Sequence, residues 1–143
     1  MSYPSEWTLR RAIAFLAALG VGVATYIAVE AAGGDAPVCI AGSSGCATVA
    51  KSSYSHLAGV NIAVFGIVGY VLLLASAFFA DDLARFGGFI VALGGFGYSV
   101  FLTYLELFKI DAICEWCVAS AVLMTILFGL NAIRMVGYVG RPR

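Results

Sequence analysis

Four stretches of the chain contain no charged residue, and each is long enough to cross a lipid bilayer. They cover residues 12–29, 60–80, 86–105 and 116–133, which is 18 to 21 residues apiece. A helix needs roughly 20 apolar residues to cross a hydrocarbon core of about 30 Å. These charge-free stretches therefore predict an all-α integral membrane protein in which four transmembrane helices form a bundle.

The composition excludes a water-soluble fold. The chain is 62% hydrophobic and 11% charged, whereas a soluble domain contains about 25% charged residues. Too few polar side chains exist to cover a water-facing surface, so membrane lipid is the expected surrounding. The eight basic and eight acidic residues balance, and no basic run occurs. Nucleic acid is therefore not an expected partner, and we expect one transmembrane domain over residues 1–143.

The first charge-free stretch has a second interpretation, as a cleaved signal peptide. Arg10 and Arg11 precede its apolar run, as basic residues do in such peptides. The run is longer than the apolar region of about 7 to 15 residues that is usual in a signal peptide. We therefore expect this stretch to be a membrane span.

The connections between the predicted spans differ in length. Residues 30–59 form a long loop rich in glycine, serine and alanine, whereas 81–85 and 106–115 are short. Within the long loop, segment 48–57 mixes polar and apolar residues and is predicted to be a short helix at the membrane surface. Glu106 opens the third connection, so we expect its side chain to face water; the alternative is a proton-relay role.

Lysine and arginine are unequally divided between the two ends of the predicted spans. One side holds Lys51 and Lys109. The other side holds six arginines: Arg10, Arg11, Arg85, Arg134, Arg141 and Arg143. Because cytoplasmic segments carry the excess of positive charge, both termini are predicted to be cytoplasmic. The protein is then a multi-pass plasma-membrane protein with both cysteine pairs on the extracytoplasmic side, where disulfide chemistry is usual.

Cys114 and Cys117 form a C-x-x-C motif at the predicted start of the fourth helix. Their spacing puts both sulfurs on one helical face, close enough to bond. A helix N-terminus presents free backbone N–H groups and the positive end of the helix dipole, which favour a thiolate. The thiolate is the attacking species in disulfide exchange, so the motif favours redox chemistry.

A second pair, Cys39 and Cys46, lies in the long external loop with six residues between the two cysteines. This insert could close a small disulfide ring or carry Cys39 toward a partner. Electrons would then enter at the loop and leave through the helix pair. Two alternatives stay open on the residues alone: structural disulfides, or a structural zinc site, although the wider spacing departs from the usual zinc-binding pairs. We expect no metal.

Aromatic and glycine residues within the spans have both a structural and a functional interpretation. Phe65, Tyr70 and Tyr98 could line a ring-shaped ligand or could pack between helices. The glycine pairs at 87–88 and 94–95 are expected to serve helix packing, since small residues let helix backbones approach closely.

Three features together resemble the vitamin K epoxide reductase family: the motif CEWCVASA at 114–121, the loop cysteines with Ser52 six residues after Cys46, and the run GVNIAVFGIVGY at 59–70. The resemblance covers nearly the whole chain, including span count, cysteine order and loop length. It implies a four-helix bundle around a quinone of the menaquinone, ubiquinone or vitamin K type. The C-x-x-C motif would lie at the mouth of the quinone pocket.

The resemblance also implies a role for each cysteine. Cys117 would meet the quinone, and Cys114 would exchange with the loop. Cys46 would bond transiently to Cys114, and Cys39 would take electrons from a thiol outside. Ser52 would help to hold the loop helix over the pocket.

Two positions depart from the family pattern. Asn61 stands where many bacterial relatives have proline, and its amide could donate to a quinone oxygen or cap the second helix. Ala121 stands where the animal enzymes carry a tyrosine near the quinone, which favours the microbial role over epoxide reduction.

These features predict a quinone-dependent thiol oxidoreductase that drives disulfide formation. Its quinone-binding residues would be Asn61, Phe65, Tyr70 and Cys117. The electron donor is expected to be a separate thioredoxin-like thiol oxidase, since the chain stops at Arg143 without such a domain. The alternatives are a vitamin K quinone or epoxide reductase using the same cysteines, and a non-catalytic membrane scaffold with structural disulfides.

Overall fold

A computed structural model describes residues 6–33, 56–57, 60–79, 81–110 and 115–139. Over these residues the chain forms four long helices, one in each charge-free stretch. They are α1 Glu6–Ala32, α2 Ile62–Phe78, α3 Asp82–Leu105 and α4 Glu115–Val139. A π-helical turn, Glu106–Ile110, continues α3 at its C-terminal end. The four predicted helices are therefore confirmed as helices.

Three of these helices are long and apolar enough to cross a membrane. Their spanning parts are Glu6–Glu30, Asp82–Lys109 and Glu115–Gly137. The shorter helix α2 has 17 residues and lies inside the predicted span 60–80. The structure thus fits a membrane helical bundle, while a fourth crossing stays a prediction.

A small antiparallel strand pair precedes α2. Strand β1 (His56–Leu57) pairs with strand β2 (Val60–Asn61). The bundle itself is helical, as predicted, and α2 begins two residues after the start of the charge-free stretch. The strand pair corrects one detail: the surface helix predicted over 48–57 does not include its last two residues. The physical reason is that the backbone groups of β1 bond across to β2 instead of along a helix. The rest of the predicted surface helix lies outside the described residues.

The helices pack as a ring in which each contacts chiefly two neighbours. Helix α1 packs on α2 and α4, and α3 packs on the same two helices. The core between them contains mainly apolar side chains: Ile13, Ala17, Ala24, Tyr70, Leu73, Ala77, Ala92, Met124 and Leu127. Large apolar side chains also cover the outside of the bundle, among them Phe15, Val68, Phe101 and Val122. An apolar surface of this extent is unusual on a soluble monomer and suits contact with lipid.

The C-terminal end of α2 is bonded by arginines from helices α1 and α4. Arg134 of α4 donates to the carbonyl oxygens of Ser76 (3.1 Å) and Phe79 (2.7 Å). Arg10 of α1 donates to the two carbonyls between them, at 2.7 and 2.8 Å. The last carbonyls of a helix have no partner within it and carry the negative end of its dipole. The two guanidinium groups therefore satisfy the end of α2 and join three helices there.

The same end of the bundle contains an ion-pair cluster around Glu6. Arg134 Nε lies 2.8 Å from Glu6 Oε1, and Arg85 Nε lies 3.5 Å from the same oxygen. Arg85 also pairs with Asp82 at 3.3 Å. Three of the arginines that the charge count assigned to one side of the membrane, Arg10, Arg85 and Arg134, therefore lie at one end of the bundle.

Helices α1 and α2 approach closely where Gly20 faces Tyr70. A Cβ atom added at Gly20 would lie 2.6 Å from Tyr70 Cγ and would also overlap Cδ1 and Cε1 of that ring. The ring is held in this position because its hydroxyl is hydrogen-bonded to Ser120 of α4. Only glycine therefore allows this contact.

We expect Gly20→Ala to destabilise the bundle, although alanine is the better helix former. Overpacking costs about 1–3 kcal/mol, which outweighs a helix-propensity gain of up to about 1 kcal/mol. Thermal unfolding of the protein in detergent measures the difference. Gly22→Ala is the matched control, since a Cβ there meets nothing within 4 Å. Equal unfolding midpoints for the two variants would show that the Gly20 contact is not tight.

Candidate functional site

A cavity of about 350 Å³ lies between the four helices. It occupies the half of the bundle in which α3 ends and α4 begins, opposite the arginine cluster. Its volume lies within the range of about 300 to 1,000 Å³ that is usual for small-molecule sites. Most of the groups that line it are apolar. The cavity is therefore the candidate functional site of the described part.

Helix α4 contributes Cys117 to the cavity wall. Ser120, Ala121 and Met124 follow it at spacings of three, four and seven residues, so all four lie on one helical face. Cys117 is half-buried and belongs to the first turn of α4, which begins at Glu115. The free N–H groups and the dipole of this turn stabilise negative charge that develops at the Cys117 sulfur during reaction.

Helix α3 presents a more polar stripe to the cavity. Tyr98, Ser99, Leu102, Thr103 and Glu106 repeat at spacings of three and four residues and line it together. The Thr103 hydroxyl donates to the Ser99 carbonyl at 2.8 Å, so it is satisfied within the helix. This stripe ends at the carboxylate of Glu106.

Glu106 is buried, contrary to the prediction that it faces water. Its side chain is 6% exposed, and the residue lines the cavity. The prediction was wrong because the chain stays helical beyond Leu105, the last residue of α3. The Glu106 N–H bonds back to the carbonyls of Leu102 and Thr103, and the π-helical turn continues from there. Glu106 thereby keeps the helical phase of the cavity-facing stripe.

Helix α2 supplies the aromatic part of the wall. Phe65 and Tyr70 both line the cavity, as does Tyr98 of α3. Phe65 is 44% exposed, so it lies where the cavity reaches the outside of the bundle. Helix α1 adds only the apolar residues Ala24 and Ile27. The structure thus brings the three aromatic residues singled out in the sequence to the same cavity as Cys117.

The hydroxyl of Tyr70 is bonded to helix α4. It donates to the Ser120 carbonyl at 2.8 Å, and the two hydroxyl oxygens are 2.7 Å apart. Because the single phenol hydrogen goes to the carbonyl, the Ser120 hydroxyl donates to the Tyr70 oxygen. Tyr70 therefore faces the cavity with its ring, and its hydroxyl fixes the distance between α2 and α4.

The glycine pairs of α3 serve two purposes. A Cβ at Gly88 would lie 2.8 Å from Asn131 Oδ1, and a Cβ at Gly95 would lie 2.7 Å from Met124 Cε. These two glycines let α3 pack closely, as expected from the sequence. Gly94 has nothing within 4 Å of such an atom and lines the cavity. Its missing side chain therefore adds to the space of the cavity.

Trp116, within the C-x-x-C motif, packs on helix α1. Its ring lies 4.8 Å from that of Tyr26, centroid to centroid, at an angle of 49°. Tilted aromatic pairs at such distances are favourable. The contact anchors the first turn of α4 to α1 and so helps to hold Cys117 at the cavity wall.

Several predicted site residues lie outside the part that the structure describes. They are Cys39, Cys46, Ser52 and Cys114. The backbone of Asn61 belongs to strand β2, but its side chain is also outside the described part. The assigned roles of these residues, and the expected absence of a metal, stay predictions.

Two further cavity residues on the Cys117 face of α4 were not predicted from the sequence. Ser120 and Met124 line the cavity beside Cys117 and were not singled out. Their helical spacing from Cys117 was the available signal. Burial of Glu106 had no comparable signal, since a charge at the end of an apolar stretch usually faces water.

The fold and the cavity define a class: a membrane helical bundle with a cysteine facing a largely apolar cavity. Residues 11–132, most of the chain, match the vitamin K epoxide reductase family. The chain belongs to this family and is accordingly a membrane redox enzyme related to vitamin K epoxide and quinone reduction. A search of curated proteins found no match.

Proposed function

We propose that the protein is a quinone-dependent thiol oxidoreductase. It passes electrons from a thioredoxin-like partner to a membrane quinone and thereby drives disulfide-bond formation. The observation that carries the proposal is the position of Cys117 on the wall of a largely apolar cavity in the bundle. Membership of a family of redox enzymes supports the same chemistry.

The cavity wall suits a quinone ring. Phe65 and the ring of Tyr70 offer flat apolar surfaces, and the polar groups of Ser99 and Thr103 lie on the facing helix. Few polar groups in an apolar site are the usual pattern for such a ligand. A bound quinone accepts two electrons and two protons. Cys117 is the redox-active side chain that meets this space.

The chain's own cysteines carry the electrons to the cavity. Cys39 takes them from the partner, and Cys46 passes them to Cys114 by thiol–disulfide exchange. Each exchange needs a thiolate that attacks a disulfide sulfur. Cys114 and Cys117 lose two electrons at the cavity as their sulfurs join. The first turn of α4 stabilises negative charge that develops on the Cys117 sulfur as it reacts, which supports its place as the last thiol of the path.

The proposed membrane arrangement has four spans, with both termini cytoplasmic. Helix α2 has 17 residues, which cover about 26 Å at 1.5 Å per residue and lie at the lower limit for a span. Cys117 and the arginines Arg10, Arg85 and Arg134 lie at opposite ends of the bundle. Under the rule that positive charge stays inside, the C-x-x-C motif is extracytoplasmic.

The direct test is anaerobic reduction of a water-soluble quinone by the purified protein in detergent, with a dithiol as donor. We expect a fall in quinone absorbance, with about one quinol formed for each donor dithiol that is oxidised. Protein whose thiols were alkylated beforehand is the control and should leave the quinone oxidised. A folded, reduced protein that leaves the quinone unchanged would contradict the proposal and favour the structural scaffold.

The same assay separates the epoxide-reducing alternative. Ala121 lines the cavity at the position where the animal enzymes carry a tyrosine, which weighs against epoxide reduction. Turnover of vitamin K epoxide at the rate of quinone reduction would establish the alternative activity instead.

A further inference from the structure

Glu106 is a carboxylate in the wall of the cavity that the proposed electron path leaves without a role. It lines the same space as Cys117, and its side chain is 6% exposed. The backbone bonds of Glu106 to Leu102 and Thr103 keep it on the cavity-facing stripe of α3. Ionisable residues within membrane-spanning segments are costly and usually functional. The π-helical turn that begins at Glu106 is also a form that recurs at functional sites.

Few titratable groups face the cavity with Glu106. Among the described lining residues they are Cys117 from α4, Tyr70 from α2 and Tyr98 from α3, and α1 contributes none. Glu106 is the only carboxylate among them. The phenol hydrogen of Tyr70 is already donated to α4. Glu106 is therefore the described lining carboxylate that can accept and return a proton.

The proposed reaction must move protons as well as electrons. Two thiols that form a disulfide lose two electrons and two protons, and a quinone that becomes a quinol gains two of each. The apolar lining of the cavity offers few other groups that could carry a proton. A carboxylate that lines the same cavity as the thiol and the quinone site can accept and return one.

We propose that Glu106 is the proton-transfer residue of the cavity. Its carboxylate accepts the proton of the Cys117 thiol and returns it to an oxygen of the bound quinone. The second proton comes from the thiol of Cys114, so the two thiols and the quinone become one disulfide and one quinol. This inference rests on the proposed function and adds to it the route of a proton.

Glu106→Gln tests the proposal because glutamine keeps the size and polarity of the side chain but cannot titrate. We expect the rate of quinone reduction by pre-reduced protein to fall by about 10²-fold or more. Quinone affinity, measured by quenching of tryptophan fluorescence, should stay within about threefold of wild type. Glu30→Gln is the matched control, since Glu30 of α1 lies at the same end of the bundle but does not line the cavity.

A second readout needs no quinone. In protein whose other three cysteines are alanine, the rate of Cys117 alkylation is measured against pH. A carboxylate in the same apolar cavity as a thiol disfavours the thiolate, because like charges repel. Glu106→Gln should therefore shift the midpoint of this profile to lower pH by about one unit. A residue with only a structural role would leave the midpoint unchanged.

The outcomes separate this inference from the proposed function. If wild-type protein does not reduce quinone, the proposed function fails. If wild type is active and Glu106→Gln keeps both its rate and its alkylation midpoint, only the proton-transfer role fails. Parallel loss of rate and quinone affinity would also overturn that role.

Should Glu106→Gln not fold, Glu106→Asp decides the matter. Aspartate keeps the titratable group but withdraws it from the cavity, and a misplacement of about 1 Å can cost about 10²-fold. Slower reduction with unchanged quinone affinity supports proton transfer. A rate within about threefold of wild type overturns it.

Discussion

Cys117→Ser is expected to abolish quinone reduction while leaving the fold intact. Serine fills nearly the same space on the cavity wall, but its hydroxyl neither forms a disulfide nor gives up electrons. Cys117 is the cysteine that lines the cavity in the described part of the chain. The rate of quinol formation from a dithiol should therefore fall by at least about 10³-fold, as when an enzyme loses its nucleophile.

The control for this experiment is Val118→Ala. Val118 is the next residue of α4 but points away from the cavity, and its side chain is exposed on the outside of the bundle. We expect this variant to reduce quinone at the wild-type rate. Quinol formation by Cys117→Ser at more than about a tenth of the wild-type rate would mean that electrons leave through another sulfur.

Arg134→Met is expected to give the largest loss of stability. The Arg134 side chain is 1% exposed and bonds Glu6 and the carbonyls of Ser76 and Phe79. Methionine has a similar length but no donors, so the carbonyls at the end of α2 lose this partner. Hydrogen bonds to a charged group contribute about 1.5–3 kcal/mol each, and this variant loses three of them. Thermal unfolding in detergent should show a correspondingly lower midpoint.

Two further variants identify the cause of this loss. Arg11→Met removes the same charge from the same end of the bundle, but Arg11 is exposed, so we expect a change within about 0.5 kcal/mol. Arg134→Lys keeps the charge without the planar fork, so its stability should lie between those of methionine and arginine. If Arg134→Met unfolds at the wild-type midpoint, the network does not stabilise the bundle.

The helices extend beyond the charge-free stretches from which they were predicted. Helix α1 begins at Glu6 and passes through Arg10 and Arg11, although the stretch begins only at residue 12. Helix α4 likewise continues past Arg134 to Val139. Backbone hydrogen bonds propagate through charged residues wherever their side chains find partners or water. The stretches therefore locate the apolar middle of each helix and not its ends.

For Arg134, the charge count predicts the end of the bundle at which the residue lies but not the contacts of its side chain. The sequence assigned it to one side of the membrane as one of six arginines, and it does lie at the same end of the bundle as Arg10 and Arg85. Its burial against Glu6, 128 residues away in the chain, could not be predicted. That contact depends on how α1 and α4 are rotated against each other, which composition does not specify.

The sequence by itself determined the class of this protein. Long apolar stretches must form helices in lipid, since only internal hydrogen bonds satisfy their backbones there. Four cysteines in this order, with one pair at a helix start, indicated redox chemistry and the family that residues 11–132 match. Each of these signals is local, because it depends on residues that are neighbours in the chain.

Only the tertiary structure decided how the cavity is built. In the folded bundle Cys117, Phe65 and Tyr70 line one cavity, and Glu106 is buried in its wall. The Tyr70 ring also packs against Gly20. These contacts join residues from different helices, and they require a particular rotation and depth of each helix in the bundle. Packing between side chains sets that rotation, since an apolar stretch can turn any of its faces toward lipid at similar cost.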